Sequence, residues 1–294
     1  MGYAALLLDP TLRGVILATA IGLMLLEYGI GHLAHRETHD WRESMASFGV
    51  ALGQNILRAV EAGLLAVPFA FLYEHRLLDF AQTSPLALAG LFLGSEFLYY
   101  WQHRASHRIR WMWATHAVHH STTRLNLTAA IRLGWTGNIS GNFLFFLPLA
   151  LIGFHPLAIV AMLGINLLYQ FFIHSGFAPR LGVLEWVLNT PSHHRVHHAC
   201  NAPCLDKNYG GILIVFDRLF GTFAERPSDQ PLRFGLVGRT PSFNPVRIAL
   251  GEWGAMLGDA WRARGAGAKL RALFGPPGGP VTDCRHAAGR TRGR

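Results

Sequence analysis

The apolar positions of this chain gather into five stretches, each bounded by polar residues. Residues 11–31 (TLRGVILATAIGLMLLEYGIG) have the roughly 20 residues that a helix needs to cross a hydrocarbon core. Residues 48–73 form the second stretch, with Arg58 and Glu61 inside it, and residues 85–101 the third. Residues 142–153 and 156–173 are the fourth and fifth, broken by the tripeptide FHP at Phe154 to Pro156. The fourth is short for a full span. The last two read as a hairpin that enters and returns on one side, or as segments lying in the interface. The pattern predicts an all-α integral membrane protein with about four to five membrane helices.

Loop charge orients such helices, because arginine and lysine concentrate on the cytosolic side. The loop 32–47 carries Arg36 and Arg42, the loop 74–84 carries Arg76, and the segment 102–138 carries Arg104, Arg108, Arg110, Arg124 and Arg132. Everything after His174 is rich in arginine. This predicts an outside N-terminus, five crossings, and a cytosolic helical cap that includes the C-terminus. If the last two stretches lie in the interface instead, the cap stays on the same side. The N-terminus has no basic region followed by a cleavage site, so no signal peptide is expected. Arg58 and Glu61 are three apart and share a helix face. A charged pair inside a span is either neutralised in the bundle interior or functional.

Residues 250–274 place apolar and basic residues at helical spacing and read as an interfacial amphipathic helix. Residues 275–294 have no such periodicity and read as a disordered basic tail. The expected organisation is a first membrane helix and cytosolic loop (1–46), a membrane domain (47–249), the interfacial helix and the tail.

Composition agrees with a membrane protein. The 294 residues are 51% hydrophobic and 15% charged, whereas soluble domains run nearer one quarter charged. This argues against an ordinary cytosolic globule and against a largely disordered chain. The net charge of +9 would suggest nucleic acid. Beside such apolar runs, the positive-inside pattern explains it better, and no nucleic-acid partner is expected. Arginine outnumbers lysine 24 to 2, which points to a GC-rich, bacterial genome and hence an inner membrane. Three cysteines do not make a disulfide framework.

Histidine is the outlier. There are 16, of which eleven fall between His103 and His198. The third stretch runs into YYWQHRASH, with His103 and His107 four apart. THAVHHS supplies His116, His119 and His120. His174 ends the fifth stretch, and PSHHRVHHA supplies His193, His194, His197 and His198. Residues at i, i+3 and i+4 lie on one helix face, so His103/His107, His116/His119/His120 and His194/His197/His198 each project together. With His174 they make nine imidazoles, too many for one metal ion and enough for two with four or five ligands each. Imidazole suits iron, zinc, copper and nickel alike. A zinc transporter or metal sensor is the competing class, but transport sites lie near the bilayer midplane and these clusters lie outside the spans. A haem protein with two histidine ligands is a third. His32, His35 and His39 read as interfacial; His75, His155 and His286 are left out. Trp111 and Trp113 read as interfacial anchors. Cys200 and Cys204 are poor ligand candidates, because the histidines already supply enough donors.

HRASH, HAVHHS and HHRVHH resemble the fatty acid hydroxylase superfamily of membrane di-metal oxygenases, which includes sterol desaturases and lipid hydroxylases. The resemblance runs from Trp41 to Phe223 and includes DKNYGGILIVFDRLFGTF (residues 206–223). Several stretches look most like the branch that hydroxylates the ether-bearing carbon of alkylglycerol lipids with tetrahydrobiopterin as reductant. The resemblance implies two iron ions, dioxygen, and metal ligands at His103, His107, His116, His119, His120, His174, His194, His197 and His198. It matches His193 to an extra histidine of the last motif. It places Gln170 where many members carry a further histidine. The function implied is hydroxylation of a C–H bond of a membrane lipid, whether alkylglycerol ether, fatty acyl or sterol-like. Desaturation on the same scaffold is the alternative. No haem domain, cysteine cluster or dinucleotide motif is visible, so the reductant is expected from outside: a pterin, a ferredoxin or a cytochrome b5-like protein. Ligating imidazoles need a partner for their second nitrogen; Glu96, Asp206, Asn208 and Asp217 are the candidates. Asp217–Arg218 and Asn208–Gly211 read equally well as plain turns.

Overall fold

The computed structural model describes residues 9–36 and 38–278, leaving aside the side chains of residues 59–62 and 64. The expected Arg58–Glu61 pairing, Cys284, His286 and the tail beyond residue 278 therefore lie outside the described residues. Four helices of the apolar stretches begin with a capping side chain, and in three of them proline follows directly. Asp9 accepts from Thr11 N (2.8 Å) and starts α1 (Pro10–Leu33). Asp40 accepts from Arg42 N (2.8 Å) and starts α2 (Trp41–Glu74). Ser84 accepts from Ala87 N (3.2 Å) ahead of α3 (Pro85–Arg108), and His155 Nδ1 accepts from Leu157 N (3.2 Å) ahead of α7 (Pro156–Ile173). Such a residue satisfies orphan N–H groups, and proline gives up an N–H that the first turn does not use.

All five apolar stretches are helical. The fourth is a 3-10 turn (Asn142–Phe146) running into the short α6 (Leu147–Ile152). By length and composition α1 and α7 can cross a membrane; Leu65–Glu74 and Asn142–Ile152 are shorter apolar helices. A bundle core forms where Phe69 of α2, Ala87 and Leu91 of α3, Leu149 of α6 and Ile159 of α7 meet. Outside it, α1, α2 and α7 expose large apolar side chains, among them Leu17, Leu25, Leu52, Ile56, Ile165 and Phe172.

The remaining helices are termed the cap. It comprises α4 (Arg110–His120), α5 (Leu127–Ala130), α8 (Pro191–His198), α9 (Val215–Leu219), α10 (Pro245–Arg262) and α11 (Ala266–Phe274). Among the described residues there is no β-strand, only isolated bridges at Leu188–Leu213 and Ala199–Phe234. Ile109 is extended (φ −114°, ψ 117°) and separates α3 from α4. The interfacial helix expected over 250–274 is two helices instead. The chain breaks at Ala263 to Gly265, where Gly265 has φ 81°, a conformation that costs glycine least. Nor does its apolar face simply lie on lipid: Trp253 and Met256 are buried against Ala114 of α4, and Trp253 Nε1 donates to Thr136 Oγ1 (2.8 Å).

Candidate metal centre

The nine histidines meet as two adjacent groups. His103, His107, His116, His120 and His197 form one; His119, His174, His194 and His198 form the other, and within each group the ligand atoms lie within 4.8 Å of one another. Sequence neighbours divide between them. His116 and His120, one helical turn apart on α4, serve the first group while His119 serves the second. On α8, His194 and His198 serve the second group while His197 serves the first. The groups are close enough for His120 and His198 to stack with ring centroids 4.4 Å apart.

The imidazoles turn Nε2 inward. In the first group His103 Nε2 lies 2.9 Å from His116 Nε2, which lies 3.1 Å from His120 Nε2. In the second, His174 Nε2 lies 3.0 Å from His119 Nε2 and 3.1 Å from His194 Nε2. Metal–nitrogen bonds of roughly 2.1 Å place right-angled ligands about 3.0 Å apart and tetrahedral ones about 3.4 Å apart. The observed spacings fit the right-angled arrangement. His107 Nε2 and His197 Nε2 are buried with no hydrogen-bond partner.

Backbone carbonyls hold the other ring nitrogen of four of them. Tyr209 O accepts from His103 Nδ1 (2.7 Å), Arg132 O from His119 (3.2 Å), Gln170 O from His174 (2.6 Å) and Lys207 O from His197 (2.9 Å). A carbonyl accepts only from an N–H, so these rings carry their proton on Nδ1 and present a bare lone pair at Nε2. His119 and His174 thus face each other at 3.0 Å with two lone pairs and no proton between them. Burial keeps the rings neutral. It lowers the His103 pKa to about 3 and that of His119 to about 4 from an ordinary 6.5, the carbonyl bonds opposing it in part. His174 and His197 are also pushed well below the ordinary value by burial. A cation between the lone pairs removes the repulsion, and these donors fit one in each group.

A cavity of about 250 Å³ opens beside both groups. Its walls carry His103 and His116 from the first group and His119 and His174 from the second, then Leu163, Leu167 and Phe171 of α7. Clefts elsewhere, such as the one lined by Glu43, Arg195, Leu232 and Phe243, touch none of the nine histidines.

The fatty acid hydroxylase family model matches residues 88–222, the segment that holds all nine histidines. Residues 88–222 belong to the fatty acid hydroxylase family. The chain is 40% identical over 205 residues to alkylglycerol monooxygenase of Xenopus tropicalis, covering 70% of this chain and 45% of the relative. It is 36% identical over 264 residues to alkylglycerol monooxygenase of Danio rerio (88% and 57%). It is 31% identical over 146 residues to ornithine lipid hydroxylase OlsE of Rhizobium tropici (49% and 44%). The chain thus spans about half the length of the curated relatives it matches. No solved structure matches it.

Outside the two groups, the fatty acid hydroxylase domain places the remaining candidates differently from expectation. Glu96 touches no imidazole: it accepts from Ile212 N (2.8 Å), Leu213 N (2.9 Å) and the Asn166 amide. Asp217 accepts from Tyr209 N (2.8 Å), Gly210 N (2.7 Å) and Thr222 Oγ1 (2.7 Å), and so holds the turn whose Tyr209 carbonyl holds His103. Asn208, with φ 56°, donates to His193 O and Ala224 O. Asp206 is the one carboxylate of the three near a ligand ring, 3.8 Å from His107 Nδ1, and it also binds Arg108. His193 stands apart, its ring against Phe223. Gln170 gives its side chain to other partners, accepting from Tyr99 Oη (2.8 Å) and donating to Asn166. Trp113, expected at the interface, packs against His107 and His120 (5.2 and 5.6 Å). Neither Cys200 nor Cys204 belongs to either group. His39 lies beside Glu27 (3.4 Å), away from both. Arg132 was missed as a site residue: fully buried, it donates to Ser47, Ser121 and the Glu43 carbonyl while its own carbonyl fixes His119. No spacing rule could have found the four carbonyls, since every residue carries one.

Proposed function

We propose that this chain is a membrane-bound, non-haem di-iron monooxygenase that hydroxylates a C–H bond of a lipid, using dioxygen and an external reductant. The observation that carries the reading is the confrontation of proton-free Nε2 atoms of His119 and His174 at 3.0 Å, beside a cavity that leads from both histidine groups into apolar bundle. His103, His107, His116, His120 and His197 would hold one ion; His119, His174, His194 and His198 would hold the other. Iron in these positions supplies, with dioxygen and two electrons, an oxidant strong enough for an unactivated C–H bond, which no side chain provides.

The chain's own residues do the rest. Leu163, Leu167 and Phe171 hold a hydrocarbon chain and exclude water from the cavity. His103, His116, His119 and His174 face that space, so a carbon lodged there lies beside both groups. The four carbonyl-bound rings keep their tautomer, which favours metal over protons. Exposed apolar faces on α1, α2 and α7 support a multi-pass membrane setting, and the arginine-rich cap supports a cytosolic face of a bacterial inner membrane. Alkylglycerol ethers and amino-acid lipids, named by the relatives, are the first substrates to try. Tetrahydrobiopterin, a ferredoxin and a cytochrome b5-like protein are the donors to try.

The test is iron content and lipid-dependent oxygen uptake of the purified protein beside His119→Ala, followed by the product mass. Gain of one oxygen atom in the wild type, absent in the variant, supports hydroxylation. Loss of two hydrogens moves the assignment to a desaturase. Tight zinc with no lipid-dependent oxygen uptake after iron reconstitution refutes the oxygenase reading and returns the chain to the transporter or sensor class.

A further inference from the structure

The cavity beside the histidines is lined by two kinds of polar side chain. One kind is already paired: Tyr99 donates to Gln170, Gln170 to Asn166, and Asn166 to Glu96. The other kind is not. Asn142 Oδ1 is buried without a hydrogen-bond partner. Arg58 lines the same cavity and has no hydrogen-bond or ion-pair partner among the described residues.

The level of Arg58 along α2 matters. Gly53 lies so close to the Trp135 ring that a Cβ there would clash with it. Phe69, further along the same helix, belongs to the bundle core. At 1.5 Å per residue, Arg58 lies about 8 Å beyond the Trp135 contact and about 16 Å short of Phe69. It sits between the Trp135 contact and the bundle core, a level at which lipid headgroups lie if that core spans the membrane. Its neighbours Ile56 and Leu57 are exposed and apolar. Arg58 is itself exposed; a cation with no partner among the described residues is costly at a membrane boundary unless an anion meets it, and a buried acceptor is costly unless a donor meets it.

We propose that Arg58 and Asn142 form a headgroup subsite: Arg58 binds an anionic oxygen of the substrate, and Asn142 Oδ1 accepts from a hydroxyl or amide N–H nearby. This rests on the lipid-hydroxylase reading and narrows its substrate to lipids with an anionic headgroup, a phosphate ester or a carboxylate. The hydrocarbon runs along Leu163, Leu167 and Phe171 while the head is held at the cavity's polar end. The subsite selects among lipids and takes no part in the oxidation.

The test uses the iron-loaded full chain without reductant and without oxygen, so that binding is read apart from turnover. Affinities are measured for hexadecylglycerol phosphate, palmitoyl-glycine and neutral hexadecylglycerol. The wild type is expected to prefer at least one anionic probe by roughly 10- to 100-fold, the range of a charge-assisted hydrogen bond; whichever is preferred identifies phosphate or carboxylate as the source. Arg58→Gln is expected to abolish the preference and Arg58→Lys to restore part of it. Arg264→Gln, which removes an exposed arginine outside the cavity lining, is expected to keep it. Equal affinity for all three probes in the wild type overturns the subsite, as does a uniform loss across probes in Arg58→Gln. Oxygen uptake, read after reductant and oxygen are added to the same preparations, separates the two readings. An Arg58-dependent preference without lipid-dependent uptake leaves the subsite and removes the hydroxylase, and the converse removes the subsite alone.

Discussion

His119 and His120 are consecutive, yet they belong to different groups, and this gives a sharp test of two separate ions. His119→Ala leaves His174, His194 and His198 in one group and all five donors in the other. His120→Ala leaves four donors in its own group and all four in the other. Binding of a four-ligand structural zinc amounts to about 10–16 kcal/mol, or roughly 3 kcal/mol per ligand. Each substitution should therefore weaken one ion by roughly 100-fold and leave its neighbour nearly unchanged. The assay is metal content after dialysis against a graded chelator series. The wild type is expected to release its two ions at high chelator. Each variant should lose one ion early and keep the other, and the double variant should lose both. If either single substitution strips both ions together, the nine histidines act as one centre and the division into five and four is wrong.

Two further outcomes follow from the surroundings. Asp217→Ala leaves Tyr209 N and Gly210 N without their acceptor, while Thr222 Oγ1 keeps Tyr100 Oη as a partner; at about 1–3 kcal/mol for each buried group, the variant should lose about 2 kcal/mol or more, read as a fall in the unfolding midpoint. It should also weaken the ion at His103, whose carbonyl partner sits on that turn; unchanged stability would refute the role. Acidification gives the second test, on metal-free protein. His103 and His119 take up protons near pH 3 and 4 when folded, but near 6.5 when unfolded. Because the unfolded chain binds more protons in that window, stability is lost as pH falls below about 6.5 and the loss levels off near the folded values. At pH 5 this amounts to about 2 kcal/mol for each ring, so thermal unfolding should shift downward between about pH 7 and pH 5; an upward shift contradicts burial of neutral rings.

Much of this protein was legible from local pattern. Five apolar stretches became helices because hydrophobic runs and Asp-Pro or Ser-Pro starts act within a few residues. The nine imidazoles converge because i, i+3 and i+4 spacing commits them to shared helix faces before any tertiary contact forms. What spacing could not determine is the partition. Consecutive residues on a helix diverge by about 100°, so His119 and His120, like His197 and His198, reach different centres once α4 and α8 face each other. Glu96 lies two turns from His103 on the same face by count, yet it turns to Asn166 and the Ile212 and Leu213 amides, because α7 and the 210–213 turn arrive there. Gln170 was ambiguous as a residue type, and its neighbours Tyr99 and Asn166 decided its role by occupying its amide. The carbonyls that fix the tautomers belong to residues of unrelated kind, so only the folded backbone selects them. Sequence alone thus determined which side chains could bind metal, through periodicity; tertiary structure decided which of them fall in the same group, through the facing of helices distant along the chain.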